Sequence, residues 1–296
     1  MFQKSRSRST TWYGVVAACL LLGVLHAAQA ATLYFPSPET ADDERGNYSL
    51  NLLRLVLKKA GSRDTVERNP LNMLQNRSVL ELAMGNGKLD VIAGVTTKER
   101  EEKLLPIRIP ITKGLVGWRL LLIKAGQRER LRDVRTLHDL LPFRVAQGHD
   151  WPDTVILRDN GLLVSTVAHY NSLFTMLNLD RLDYVPRSLP EIWAELDHYR
   201  GLDIDPYLVL HYRSADYFFV NRKNTKLAET IRRGLEIAME DGTFDKLFYE
   251  HYGKLIKDAN LEKRHVIELV NPLLPVETPV TRKELWFSLD DLKRIK

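Results

Sequence analysis

Arg100 is the side chain whose setting most suggests chemistry. It lies in Glu81–Lys124, ELAMGNGKLDVIAGVTTKEREEKLLPIRIPITKGLVGWRLLLIK. Gly85, Asn86 and Gly87 supply a turn, since these residues tolerate positive φ at little steric cost. Asp90–Val95 is a short apolar run suited to a covered strand of a parallel sheet. Thr96 followed by Glu99 has capping-box spacing, which predicts a helix start there with Arg100 in its first turn. A strand ending at a helix start beside an arginine can hold a carboxylate. The guanidinium offers two parallel hydrogen bonds and the helix start adds N–H groups. The competing reading is an ordinary surface arginine paired with Glu99 or Glu101.

Catalytic signatures are absent from the sequence. It has no G-x-S-x-G, H-E-x-x-H, P-loop or G-x-G-x-x-G pattern. Histidines at 138, 149, 169, 198, 211, 251 and 265 lack metal-ligand spacing, so no metal and no cofactor is expected. Carboxylates are abundant, but none forms an evident acid and base pair.

Residues 1–30 read as a cleavable leader for export. Lys4, Arg6 and Arg8 form a positive start, Gly14–Leu25 an apolar core, and Ala28-Gln29-Ala30 a small-x-small cleavage site. That core is shorter than the roughly 20 residues a spanning helix needs. Val16-Ala17-Ala18-Cys19 offers a lipobox as a rival reading, although Leu20–Leu25 carries the apolar core past the cysteine. Cleavage after Ala30 removes the only cysteine, so no disulfide framework is expected. It also lowers the formal charge of +5 by three, to +2. A nearly neutral product gives no support to nucleic-acid binding.

The elements that must position Arg100 alternate. Thr32–Phe35 reads as a strand and Asn47–Ala60 as a helix with Leu50, Leu53 and Leu57 on one stripe and Gly61 at its end. Trp118–Lys124 is a strand, and Thr136 with Asp139 opens a short helix. Phe143–Gln147 is a strand, Asn171–Leu179 a helix, Leu182–Pro186 a strand, and Ser188–Leu196 a helix with a Ser188–Glu191 capping box. Tyr217–Asn221 is a strand, followed by a helix from Thr225 to Glu240 with Leu227, Ile231 and Leu235 on one face. Such alternation predicts an α/β chain with largely parallel sheets.

Two segments carry a family likeness. Glu81–Lys124, with its strand and T-x-x-x-R region, resembles the family 3 solute-binding proteins, the two-lobed periplasmic binding proteins of bacterial importers. NRKNTKLAETIRRGLEIAMEDGTFDKLFYEHYG, from Asn221, looks like the N-x-x-L … DGt … l-x-x-x-Y ending of the same family. The resemblance implies an α/β fold of two lobes, with crossover strands near Trp118–Lys124 and Leu208–Asn221 forming a hinge. Its boundaries are 31–120 and 212–256 for lobe 1, 121–211 for lobe 2, and 257–296 for a strap packed on the body or meeting a partner. It also implies a monomer that closes on an amino acid or related small carboxylate and presents the closed form to an ABC importer. A separate membrane sensor is the alternative partner. A dehydratase-like enzyme on the same fold is a third reading, for which Glu191, Asp150 and His149 are the candidate groups.

By the same resemblance, Arg100 and Thr96 help hold the ligand in lobe 1, and Tyr34 or Phe35 lays an aromatic face against it. In lobe 2, Gln147-Gly148-His149-Asp150-Trp151 corresponds to the family's Gly-Thr turn, with His149 and Asp150 in place of threonines and Trp151 able to close over a ligand. Arg187 falls where amino-acid binders carry an acid, which favours an anionic ligand group there. The Asp90–Arg100 spacing is two residues shorter than usual, and the serine-rich strip becomes Gly94, Val95 and Thr96.

Overall fold

The computed structural model of the protein describes Met1 and residues 30–37, 46–71, 73 and 75–295. The leader reading, with Lys4, Arg6, Arg8 and Cys19, and the acidic run Asp42–Arg45 lie outside the described residues. Among those described, no helix is long and apolar enough to cross a membrane.

Strand β1 (Thr32–Phe35) buries Leu33 and Phe35 and leaves Tyr34 half-buried, as period-two alternation requires. It pairs in parallel with β2 (Thr65–Arg68). On its other side it meets β3 (Val91–Val95), where Asp90 N–H donates to Tyr34 O at 2.9 Å and the Asp90 carboxylate accepts from Tyr34 N–H at 2.8 Å. Strand β11 (Asp216–Val220) lies antiparallel between β3 and β4 (Leu105–Ile107). Joined by that contact, the two-stranded sheet β2-β1 and the three-stranded sheet β3-β11-β4 line up in the order β2-β1-β3-β11-β4.

The second sheet repeats the arrangement. Strands β6 (Val145–Gly148) and β7 (Val164–Val167) pair in parallel, and a bridge from Val145 to Tyr184 leads to β8 (Val185–Ser188). Strand β5 (Trp118–Lys124) is antiparallel to β8 and to β9 (Leu202–Ile204). The order β7-β6-β8-β5-β9 is the same permutation, with the strand that crosses between sheets fourth in each. Two lobes follow from that topology.

Helices cover both sheets. In α1 (Asn47–Lys59) the expected stripe Leu50, Leu53 and Leu57 is buried, with Leu52 and Val56 beside it. It packs on α8 (Thr225–Glu240), whose Leu227, Ile231 and Leu235 are buried as the periodicity predicts. Each such leucine contributes roughly 1.5–3 kcal/mol. The two backbones meet at Gly234, where a Cβ would stand 2.0 Å from Val56 O. Helix α9 (Thr243–Asp258) follows directly. The remaining helices are α2 (Gln75–Met84), α3 (Lys98–Lys103), α4 (Leu137–Leu140), α5 (Pro152–Asp159), α6 (Asn171–Asn178) and α7 (Leu189–His198).

Two sequence-based helix starts are corrected. Thr97, not Thr96, caps α3: its hydroxyl accepts from Arg100 N–H at 3.1 Å. Thr96 instead donates its hydroxyl to Glu101 at 2.7 Å and its N–H to Ala215 O, so it is consumed by tertiary contacts. Ser188 precedes α7 without capping it, because its hydroxyl is turned to the Glu191 carboxylate.

The crossovers run side by side. Trp118 and Arg119 of β5 pair antiparallel with His211 and Leu210 of β10 (Leu208–His211). Gly117 permits this approach, since a Cβ there would fall 2.1 Å from Tyr212 O. Below the junction, Asp216 is buried, and its carboxylate accepts from the Thr112 hydroxyl at 2.6 Å and the Thr112 N–H at 3.3 Å. Burial nevertheless pushes its carboxyl up to about 6.

Gly234→Ala drives a methyl into the α1 backbone, so the helices must separate. Chemical unfolding is expected to show a loss of at least about 1–3 kcal/mol with an unchanged m-value. Asp216 generates a pH effect. An unfolded aspartate releases its proton near 3.8, whereas the folded one keeps it to about 6. The group's stabilisation is therefore full below the unfolded value, declines as pH rises, and is gone above about 6, a change on the order of 3 kcal/mol. Urea unfolding between pH 4 and 7 should show that decline in the parent chain and lose it in Asp216→Asn.

Candidate functional site

The carboxyl ends of β1, β3, β6 and β8 carry the residues singled out from sequence, the region where open α/β sheets commonly bind ligands. In lobe 1, Arg100 leaves α3 and turns back under the end of β3. Its Nη1 donates to Val95 O at 2.5 Å and its Nη2 to Gln75 Oε1 at 3.2 Å. Gly94 makes room, since a Cβ there would lie 2.6 Å from Nη1, and the Phe219 ring sits 5.9 Å away. The side chain is 7% exposed. Among the described residues it has only neutral hydrogen-bond acceptors. Burial pulls its guanidinium down to about 10, with Glu99 opposing weakly. Five N–H donors, two of them engaged by neutral oxygens, leave capacity for a carboxylate.

Its acidic neighbours are committed elsewhere. Glu99 pairs with Lys103 at 2.6 Å, and Glu101 is shared by Arg108 and the Thr96 hydroxyl. The surface-pair reading of Arg100 is thus corrected, and Thr96, expected to help hold the ligand, is 1% exposed with its hydroxyl given to Glu101. Phe35 is a core side chain, while Tyr34 stands half-buried with its backbone fixed to Asp90.

Lobe 2 balances its charges internally. Arg187 is 2% exposed and lies over the Trp151 ring at 4.7 Å and the Tyr170 ring at 5.8 Å. Its Nη2 is 2.6 Å from Glu195 and 3.2 Å from Glu191, and the Tyr170 hydroxyl also donates to Glu195. On the neighbouring strand, buried Arg119 pairs with Asp153 at 2.7 Å and approaches Glu191 at 3.7 Å, with the Tyr212 ring 5.4 Å away. Burial alone disfavours both cations, yet the acids outweigh it. Glu191 and Glu195 hold Arg187 well above its ordinary value, and Asp153 leads the upward push on Arg119. Arg187 is therefore neutralised in place, which corrects its expected availability to an anion.

Trp151 covers Gly148, where a Cβ would be 2.6 Å from the indole. His149 and Asp150 are exposed, with Nδ1 and Oδ1 3.9 Å apart, and His149 Nδ1 lies 3.3 Å from Val167 O. Gln147 is fully buried and donates to Pro186 O at 2.9 Å, while its Oε1 has no partner among the described residues. Sequence reasoning missed Arg119, Tyr170, Glu195 and Gln75. The available signal was Arg119 itself: a cation inside the covered run WRLLLIK demands buried acids. Glu191 and Glu195, four and eight positions beyond Arg187, lie on the helix face that can supply them.

No protein-family model matches the sequence, and no curated protein matches it. Solved structures do. An ancestral arginine-binding protein bound to arginine is 21% identical, with a TM-score of 0.55 over 76% of this chain and 98% of that one. A Salmonella typhimurium periplasmic binding protein of high arginine specificity is 17% identical, TM-score 0.55, over 75% and 100%. An amino acid ABC transporter substrate-binding protein from Streptococcus pneumoniae, bound to L-arginine, is 14% identical, TM-score 0.55, over 76% and 94%. Likeness at such identities speaks for architecture. The chain has the α/β, two-lobed fold of these structures, its lobes joined by two crossover strands.

Proposed function

We propose that this chain is an exported solute-binding protein that captures a small carboxylate, an amino acid or a related acid, between its lobes. The observation that carries the reading is Arg100, a buried cation with only neutral acceptors among the described residues. A ligand carboxylate at that guanidinium would relieve its desolvation and form charge-assisted bonds. The proteins of like fold named above bind an amino acid, which supplies that group. Arg187, the arginine at the lobe 2 strand end, is already paired with Glu191 and Glu195, so the far end of the ligand would meet the Trp151 loop with exposed His149 and Asp150. Contacts made only when both lobes touch the ligand would favour closure. Release to an ABC importer is the matching role, by likeness to the Streptococcus pneumoniae protein.

A dehydratase reading has less support. Its three candidate groups do not form a free acid and base pair, because Glu191 is held between Arg119 and Arg187 while His149 and Asp150 stand exposed.

The test is thermal melting of the protein against amino acids, small carboxylic acids, sugars and polyamines, beside Arg100→Met. Methionine keeps volume and removes charge. A carboxylate at about 100 times its dissociation constant should stabilise the parent chain by roughly 2.7 kcal/mol, a rise of a few degrees. Arg100→Met should lose that rise while its ligand-free form melts no lower than the parent, because a buried cation without an acid is removed. Stabilisation only by neutral sugars, or a rise retained in Arg100→Met, would overturn the reading.

A further inference from the structure

Beyond α9 the chain does not leave the body. A helical turn at Leu261–Lys263 leads to β12 (His265–Glu268), which adds in parallel to the crossover strand β10, with His265 opposite Leu208 and Glu268 opposite His211. Backbone bonds extend the pairing, from His265 N–H to Tyr207 O at 2.7 Å and from Leu269 N–H to His211 O at 2.8 Å. Glu268 pairs with His211 at 2.8 Å, and the His211 ring lies 4.2 Å from that of Trp118 on the other crossover. The two-stranded junction between the lobes thus becomes three-stranded.

The segment then ties one lobe to the other within two residues. Val270 N–H donates to Asn160 Oδ1 at 2.9 Å, and Asn160 Nδ2 donates to Val270 O at 2.7 Å, anchoring it to lobe 2 at the end of α5. Lys98 Nζ, at the start of α3 in lobe 1, donates to Pro272 O at 3.1 Å. Two residues of extended chain span at most about 7 Å. On this flank the lobes can part only as far as the Lys98 side chain extends before one of those ties breaks. Farther on, Arg282 grips Glu236 of α8 at 2.9 and 3.1 Å. Phe287 N–H donates to Lys113 O at 2.7 Å, and its ring meets Trp118 edge-on at 5.9 Å. Trp286 covers Gly114, where a Cβ would fall 2.7 Å from the indole. Ile267 and Leu269 belong to the lobe 2 core, whereas Leu285, Trp286 and Phe287 join the larger core that includes lobe 1.

We propose that residues 259–295 are a hinge strap that limits how far the lobes open. The strap stiffens the crossover at β10 and bridges it through the paired anchors at Val270 and Pro272. Hinge opening changes backbone angles at a few residues on the crossovers, and the strap touches both crossovers, at Lys113, Gly114 and Trp118 on one and along Leu208–His211 on the other. Asn271 Nδ2 adds a bond to Arg213 O at 2.9 Å.

The test reads an interlobe distance and needs no ligand, so its failure is separable from failure of the binding reading. In the full chain carrying Cys19→Ser, exposed positions Ser165→Cys in lobe 2 and Lys226→Cys in lobe 1 take spin labels. Pulsed electron–electron resonance should give one narrow distance for the parent. Asn160→Ala with Lys98→Ala, which cuts both anchors from the body side, should shift the distribution to longer distances and broaden it. A chain ending at Arg264 should shift it further. A cooperative melt checks folding of each variant, and the double substitution decides alone should the shortened chain not fold. A distribution unchanged, or moved to shorter distances, in the folded double variant would overturn the proposal.

Discussion

One imbalance of buried charge organises this molecule. Three arginines are buried near the carboxyl ends of the sheets or at the crossover, and two of them are answered by acids of the protein. Arg187 and Arg119 share Glu191, with Glu195 and Asp153 completing their neutralisation. Among the described residues, Arg100 is answered only by a backbone oxygen and an amide. Taking a cation out of water without a counter-charge costs several kcal/mol. The rest of the structure tolerates that cost, since Gly94 opens the space, Gln75 and Val95 receive two donors, and Glu99 and Glu101 are drawn off by Lys103 and Arg108. A site that would be filled from outside, in our proposal, is the natural reason for such an arrangement.

The crossover region is built from equally close contacts. Gly117 lets β5 approach Tyr212, Thr112 holds the carboxylate of Asp216, and Trp286 lies on Gly114. Each small residue there is a place where a side chain would prevent the two crossovers from running together. The segment after α9 extends this packing by covering the junction with a third strand and an aromatic pair. Its anchors on both lobes give the junction a stiffness that two strands alone would lack.

Much of this architecture could be read from the residues. The helix Thr225–Glu240 and the strands Thr32–Phe35 and Trp118–Lys124 appear with the limits their periodicity suggests, because each buries one well-marked face or run. Thr96 was misleading, since two adjacent threonines satisfy nearly the same cap pattern and tertiary contacts with Glu101 and Ala215 decide between them. Arg187 was misleading for a similar reason. Position relative to a strand end suggested exposure to a ligand, whereas Glu191 and Glu195 on the following helix claim it first. Strand β12 was not foreseen, because its partner β10 lies more than fifty residues earlier in the sequence and short HVIE carries no distinctive pattern of its own. Local patterns specify elements, and the partners of buried charges are set by topology.

In the complex we propose, the Arg100 guanidinium receives a carboxylate. Nitrogen-detected NMR of the arginine side chains tests it most directly, with the Arg100 signal assigned by its loss in Arg100→Met. A stabilising acid and its primary amide would be titrated in turn. The acid should move the Arg100 Nε–H resonance, the amide should leave it in place, and the Arg119 and Arg187 resonances should respond to neither as strongly. An acid that binds while Arg100 stays unmoved and Arg119 or Arg187 shifts would contradict the proposal.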